Sequence, residues 1–470
     1  MITLRKNQTE PIKKAIDFFN EKKPVPSLIV LPTAWGKSIL TAFTAKKIED
    51  KILVLQPSKE LLEQNYKKYL ALCGDDLEVQ AGIYSASFGR KDINKVTYAT
   101  IGSIKNLGGL FKQLGFKKML IDEAHLYPRE ADSMLGTFLA DSGITHVLGI
   151  TATPIKLQQN TDLGGNRFSK LVMLTSRSKK GNFFKDIIHV GQVQEMVELG
   201  FWSKLKYKNT YFDDSMLVYN SSKSEYTDDS VERAFRANDI HGQIKQQLDE
   251  NSERKHILVF VPSVQEAINL SRQYPDSTAI HSEMHKAERE KGIDDFRKGK
   301  TRVIFNVRVL STGFDYTGID CIIFGISTAS IALYYQIVGR GTRIDPDKED
   351  CLIIDLAGNV SRFGHVEDIT FEKVNIWRMF GTGGKLLSGI PIHDIGKVTK
   401  EQVERTNSAS TYDKIIEIMP FGKHKGDRIS DIPPDYKQWM LDSFNWTPAN
   451  ENLRKSILMH MKVESELNSM

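Results

Sequence analysis

Cysteine is scarce in this chain. Its three thiols, Cys73, Cys321 and Cys351, are scattered over 470 residues, with no Cys-x-x-Cys pair and no Cys/His spacing suited to zinc. That excludes a disulfide-framed scaffold and leads to the expectation of reduced thiols. Long apolar runs are missing too: none reaches the ~18–20 residues that would span a bilayer. The segment from Met1 to Phe19 lacks the basic, apolar and small-residue order of a secretory leader. Charge of one sign is also modest. Lys and Arg number 64 against 59 Asp and Glu, a net +5 that permits a polyanionic partner without demanding one. What remains, 40% hydrophobic and 26% charged, is an ordinary globular mixture with length for roughly three domains.

Short β-branched apolar runs alternate with amphipathic helical stretches. Strands are expected at Ser27–Leu31, Ile52–Gln56, Lys95–Ala99, Lys118–Asp122 and Thr145–Thr151. The pattern restarts at Ile257–Val261, Ser277–His281, Arg302–Asn306, Cys321–Gly325 and Cys351–Leu356. Buried strands joined by helices make parallel βαβ units, so two tandem α/β domains are expected, over 1–205 and 206–380. Leu157–Lys185 reads as a surface loop or insertion, and Asp213–Ser230 as part of the crossing between domains. A linker over 381–414 and a small accessory module over 415–470 follow, the module's core drawn from Phe421, Ile429, Ile432, Tyr436, Trp439, Met440 and Phe444.

The chemistry begins at the first strand-to-helix turn, Pro32-Thr33-Ala34-Trp35-Gly36-Lys37-Ser38. Backbone N–H groups and a helix N-terminus there can hold phosphates. Lys37 would neutralise the β- and γ-phosphates and Ser38 would ligate Mg²⁺, with Thr33 and Gly36 completing the loop. Ala34 stands where such loops carry glycine; a positive φ there costs alanine roughly 1 kcal/mol. A second strand ends in Asp122-Glu123-Ala124-His125. A carboxylate at that strand end is placed for magnesium, which fits Asp122, and Glu123 is placed to polarise the attacking water.

Further along, Gln336, Arg340 and Arg343 are spaced i, i+4 and i+7, one face of a helix. Gly339 and Gly341 cost that helix roughly 1 kcal/mol each against alanine, which close backbone approach explains better than a solvated basic face.

In this order the motifs resemble those of superfamily 2 helicases and translocases over nearly all of residues 2–370. The resemblance implies two RecA-like domains with ATP between them. It implies that Arg5 and Gln8, in Leu4-Arg5 and Gln8, recognise adenine. It implies that Gly313 and Asp315, in Ser311-Thr312-Gly313-Phe314-Asp315, join the nucleotide site, and that Arg343 and Arg340 act as arginine finger and γ-phosphate sensor, or in the reverse assignment. His125 with Thr151 and Thr153, in Thr151-Ala152-Thr153-Pro154, would couple hydrolysis to domain movement. Backbone contacts to nucleic acid fall by the same resemblance on Ser58, Lys59, Thr100, Ser103, Ser263 and Thr312.

More narrowly, Asp355-Leu356-Ala357-Gly358-Asn359-Val360 with Gly364-His365 is similar to a segment of RadD-type bacterial helicases, and Leu174–Arg177 through Gly200–Trp202 to that group and phage branch-migration (UvsW-like) helicases. Met419-Pro420-Phe421-Gly422-Lys423-His424-Lys425-Gly426 looks like a module appended to some phage and bacterial nucleic-acid enzymes; Lys423, His424, Lys425 and Arg428 fit a phosphate-binding edge, and a structural or partner-docking module fits equally. Arg177, Lys179, Lys180 and Lys185 with Phe183 and Phe184 fit a nucleic-acid loop and a solvated loop equally. The segment Asp320–Tyr335 leaves no room for a long strand-splitting pin, so any wedge belongs to Leu157–Lys185 or the module.

The resulting expectation is an ATP- and Mg²⁺-dependent DNA helicase or translocase acting on single-stranded, forked or junction DNA. It would work in prokaryotic or phage-infected cytoplasm, with replication or recombination proteins docking on the module and no membrane partner. The alternatives are an RNA-dependent ATPase and, from another class, a non-catalytic clamp or nuclease-associated subunit.

Overall fold

The computed structural model describes residues 4–74, 80–127, 133–161, 167–176, 182–221, 224–307, 309–311, 316–395, 419, 422–444, 453–454, 456–458 and 461. Two compact units divide the chain, Met1–Lys397 and Val398–Met470.

The first unit holds two α/β lobes. Strands Ser27–Val30 (β1), Ile52–Leu55 (β2), Ala81–Ser85 (β3), Arg90–Lys91 (β4), Val96–Ala99 (β5), Lys118–Ile121 (β6) and His146–Thr151 (β7) lie in the first lobe. Ile155–Thr161 (β8) and Arg167–Met173 (β9) form a separate hairpin, and Asp186–Val190 (β10) returns to the sheet edge. Among the described residues the sheet order is β10-β1-β7-β6-β2-β5-β3-β4, parallel except for β4. Every residue of β1, β2, β5 and β6 is buried, because helices cover both faces. The second lobe orders Lys204–Asn209 (β11), Ile257–Phe260 (β12), Ser277–Ile280 (β13), Val303–Asn306 (β14), Cys321–Phe324 (β15) and Asp350–Asp355 (β16) as β11-β16-β15-β12-β14-β13, all parallel. A last hairpin joins Thr370–Val374 (β17) to Ile376–Phe380 (β18) through Asn375, whose φ is 59°.

All ten expected strands are present to within a residue at either end. Three expectations change. Leu157–Lys185 is no plain loop: β8 and β9 pair from Ile155↔Met173 to Thr161↔Arg167. The second sheet already opens at Lys204, so Asp213–Ser230 lies inside the second lobe, not at its entry. The expected linker also packs through its described part. Leu386 and Leu387 are buried, Leu387 N–H donates to Met379 C=O (2.9 Å), and Gly389 N–H to Leu171 C=O (2.5 Å). Two adjacent leucines in a glycine-rich stretch provide apolar surface that the two hairpins cover.

In the second unit Met419, Ile429, Ile432, Met440, Leu453 and Ile457 form a core below the helix Pro434–Ser443. Trp439 is 54% exposed and rests on Tyr436, so it is not the core residue expected; Met419, Leu453 and Ile457 fill that space. Tyr436 and Phe444 pack partly buried against the core, and Phe421 lies outside the described residues. His424 Nδ1 sits 3.0 Å from Asp427 Oδ2, which brings a carboxylate into the expected basic edge.

Candidate nucleotide site

The loop after β1 is strained where the sequence departs from glycine. Ala34 has φ 57°, a left-handed conformation that costs an L-residue about 1–2 kcal/mol. Gly36, at φ 97°, precedes the helix Lys37–Lys47. A β-carbon on Gly36 would lie 2.7 Å from Gln8 Nε2, so glycine is required there twice over. No side chain caps this helix, leaving the amides and dipole of its first turn to an anion. The loop is held from behind. Gln8 Nε2 donates to Trp35 C=O (3.0 Å), its Oε1 accepts from Arg5 N–H (3.0 Å), and Trp202 Nε1 donates to Thr33 C=O (3.0 Å).

Across the loop, Lys37 Nζ donates to Glu123 Oε1 at 2.5 Å. Glu123 is itself left-handed, φ 46°; a second strained non-glycine residue on the same site is the pattern of a position fixed for function. Against the cost of its own burial, Lys37, His125 and Arg340 hold the Glu123 carboxyl below the ordinary range. Asp122 behaves oppositely: burial, then the neighbouring Glu123 charge, push it up to about 6. Asn65 Nδ2, 3.0 Å from Asp122 Oδ2, orients it, and Glu123 N–H donates to Asp122 Oδ1 at 3.0 Å. His125 Nδ1 lies 2.8 Å from Thr151 Oγ1, which accepts from Thr153 N–H (3.1 Å); the same ring nitrogen is 3.4 Å from Glu123 Oε2. The expected coupling trio is thus brought together beside the carboxylate.

The second lobe closes the site. Gln336, Arg340 and Arg343 face Thr33, Lys37, Ser38, Asp122 and Glu123 across a cavity of about 410 Å³. The helix carrying the first two, Ile331–Gly341, stops two residues before Arg343, which follows the cap Thr342, so the expected single helical face does not extend to Arg343. Thr342 turns its hydroxyl onto Gly339 C=O (3.0 Å), and Arg343 still reaches the cavity while donating to Tyr316 C=O at 3.5 Å. A β-carbon on Gly339 would meet Thr33 Oγ1 at 2.8 Å, and one on Gly341 the Cys351 sulfur at 2.4 Å. Close approach accounts for both glycines.

Some expected residues are placed differently. Gln8 is buried behind the loop and does not line the cavity, whereas Arg5 does, stacked 4.4 Å over the Phe201 ring. Ser58 and Ser263 are N-caps, accepting from Leu61 and Glu266 N–H. Thr100 Oγ1 and Ser103 Oγ lie 3.0 Å apart, and Lys59 Nζ donates to Ser87 C=O at 3.0 Å. Thr312, Gly313 and Asp315, with Arg177, Lys179 and Lys180, lie outside the described residues. Sequence reasoning missed Phe201, Asn65 and a face of the helix Lys59–Cys73 that brings Leu61, Gln64 and Lys68 to the cavity. The i, i+3, i+7 spacing of those last three was the available signal.

Residues 1–156 match the family described as type III restriction enzyme, res subunit, and residues 239–345 the helicase conserved C-terminal domain. A Schizosaccharomyces pombe protein named as a mitochondrial ATP-dependent helicase, irc3, is 27% identical over 382 residues, covering 78% of this chain and 59% of its own. A 51.5 kDa protein of a Lactococcus phage is 22% identical over 335 residues, 70% of this chain and 65% of the relative. The chain thus spans less than two thirds of either. The solved structure of an ATP-dependent type ISP restriction-modification enzyme, LlaBIII, bound to DNA shares the fold at TM-score 0.53 and 16% identity, over 76% of this chain and 28% of that one. The two family matches take in the strands and loops that build both walls of the cavity, and over both lobes the chain is similar to the helicases of superfamily 2.

Proposed function

We propose that the chain is an ATP-driven DNA translocase that remodels forked or junction DNA. The observation that carries this reading is the meeting of Lys37, Asp122 and Glu123 from one lobe with Gln336, Arg340 and Arg343 from the other around one cavity. Residues from two bodies around one nucleotide make hydrolysis sensitive to lobe closure, the requirement of a motor.

The donor set suits ATP and Mg²⁺: an amide-bearing helix start, a lysine, a hydroxyl and a buried carboxylate. Ser38 and Asp122 would hold the metal, which when bound supplies positive charge to the phosphate oxygens. Lys37 binds the β- and γ-phosphates. Glu123, held ionised by its cationic neighbours, orients the attacking water and accepts its proton. Arg343 stabilises charge on the transferring phosphoryl and Arg340 senses the γ-phosphate. His125 and Thr151 connect Glu123 to the turn at Thr153. DNA as the polymer is supported by a structural neighbour recorded in complex with DNA.

The test is steady-state ATPase activity of the purified chain alone and with single-stranded, duplex, forked and four-way junction DNA, and with RNA. Strongest stimulation by branched DNA is expected. Stimulation mainly by RNA would overturn the DNA assignment.

A further inference from the structure

A groove of about 1070 Å³ lies between the β8–β9 and β17–β18 hairpins, and the nucleotide chemistry uses none of its hairpin walls. It is a built feature. Gly389 N–H donates to Leu171 C=O (2.5 Å), Lys170 bridges to Pro391, and Ser388 Oγ accepts from Met379 N–H (2.9 Å), so one returning segment stitches both hairpins together.

The walls carry Lys156, Lys170 and Arg378 and, among the described lining residues, no Asp or Glu. Arg378 is half-buried, its Nε is buried without a hydrogen-bond partner, and it makes no ion pair among the described residues. Burial holds its pKa below the ordinary value. A guanidinium withdrawn from water is costly unless an anion meets it. Two partly exposed aromatic rings share the walls, Phe183 and Trp377, the second fixed by its indole N–H on Asp186 Oδ1 (3.1 Å). Cations that meet phosphates, interleaved with rings that stack on unpaired bases, form the combination that grips a single strand; a duplex keeps its base faces stacked on one another.

We propose that this groove binds a single strand of DNA, with Arg378 as its phosphate anchor, at a site separate from the hydroxyls that follow the sheet strands. The inference rests on the translocase reading and extends it. His125 lines both this groove and the nucleotide cavity, so a strand seated here lies one side chain from Glu123.

Binding of a short fluorescent oligothymidylate to the full chain, followed by anisotropy across a salt series, tests it. The Lys156→Gln/Lys170→Gln/Arg378→Gln variant should bind at least about tenfold more weakly, with the slope of log K against log salt reduced by about 2, near 0.7 per cation removed. Because Arg378 is half-buried, Lys156→Gln/Lys170→Gln is measured alongside; it should lose about 1.4 of slope with an unchanged melting temperature. Trp377→Leu should weaken binding by roughly tenfold. If the wild-type chain binds and the variants match it in affinity and slope, the groove is not the site. If the wild-type chain binds no oligonucleotide at low salt, the translocase reading falls and the groove with it.

Discussion

Gly339 of the second lobe approaches Thr33 of the phosphate loop so closely that a β-carbon on Gly339 would stand 2.8 Å from the Thr33 hydroxyl oxygen and 3.0 Å from its methyl carbon. The helix that carries Arg340 thus rests directly on the loop that carries Lys37. That contact sets how near the arginines come to the phosphates.

Gly339→Ala should therefore act as a wedge. The added methyl meets Thr33 at sub-van der Waals distance, an overpacking cost of about 1–3 kcal/mol that opening of the cleft relieves. ATP turnover should fall by tenfold or more while the melting temperature changes little. Paired ATPase and thermal unfolding curves check this; unchanged turnover would mean that the contact is slack.

Ala34→Gly should stabilise the protein. Alanine at φ 57° costs about 1–2 kcal/mol, and the gain is offset in part by glycine's larger unfolded-state entropy. A net increase of about 0.5–1 kcal/mol is expected from urea unfolding. A decrease would show that this turn favours the alanine side chain.

Phe201→Ala should raise the KM for ATP severalfold and leave kcat near wild type. Arg5 lies 4.4 Å over the Phe201 ring at the mouth of the cavity, a cation–π contact of about 0.5–1 kcal/mol at an exposed site. Loss confined to KM marks binding shared equally by ground and transition states. An equal fall in kcat would place Phe201 in the chemical step instead.

Glu123→Gln should retain nucleotide binding and hydrolyse about 10²–10⁴-fold more slowly, since the amide cannot accept the water's proton. Fluorescent-nucleotide titration with single-turnover hydrolysis separates the two effects. Wild-type hydrolysis by this variant would remove Glu123 from the water-activating role.

Much of this was legible in the chain. Strands buried on both faces announce themselves, because that burial forces continuous apolar runs such as Leu28-Ile29-Val30 and Leu53-Val54-Leu55. Lys37, Asp122 and Arg340 were legible because a phosphate site fixes residue type and place together. The hairpins were not. β8 reads Ile-Lys-Leu-Gln-Gln-Asn-Thr, mostly solvent-facing, and its partner β9 holds it through backbone pairing that leaves little trace in composition. β11 alternates lysine with apolar residues at a sheet edge and looks like a charged loop. Phe201 and Asn65 act by position alone: one is brought to the cavity by the turn after a short helix, the other by a helix lying over Asp122. Neither carries a spacing that names its role.

The proposed ATPase engine is assembled from both lobes. Its most direct test is DNA-stimulated ATP hydrolysis by the wild-type chain beside Lys37→Ala and Arg343→Ala, each checked for folding. Wild-type turnover in the range of about 1–10³ s⁻¹ is expected. Lys37→Ala should abolish it, and Arg343→Ala, the arginine supplied by the opposite lobe, should lower kcat by about 10³-fold or more. Full activity in the Arg343→Ala protein, with Arg340→Ala equally active, would contradict the claim.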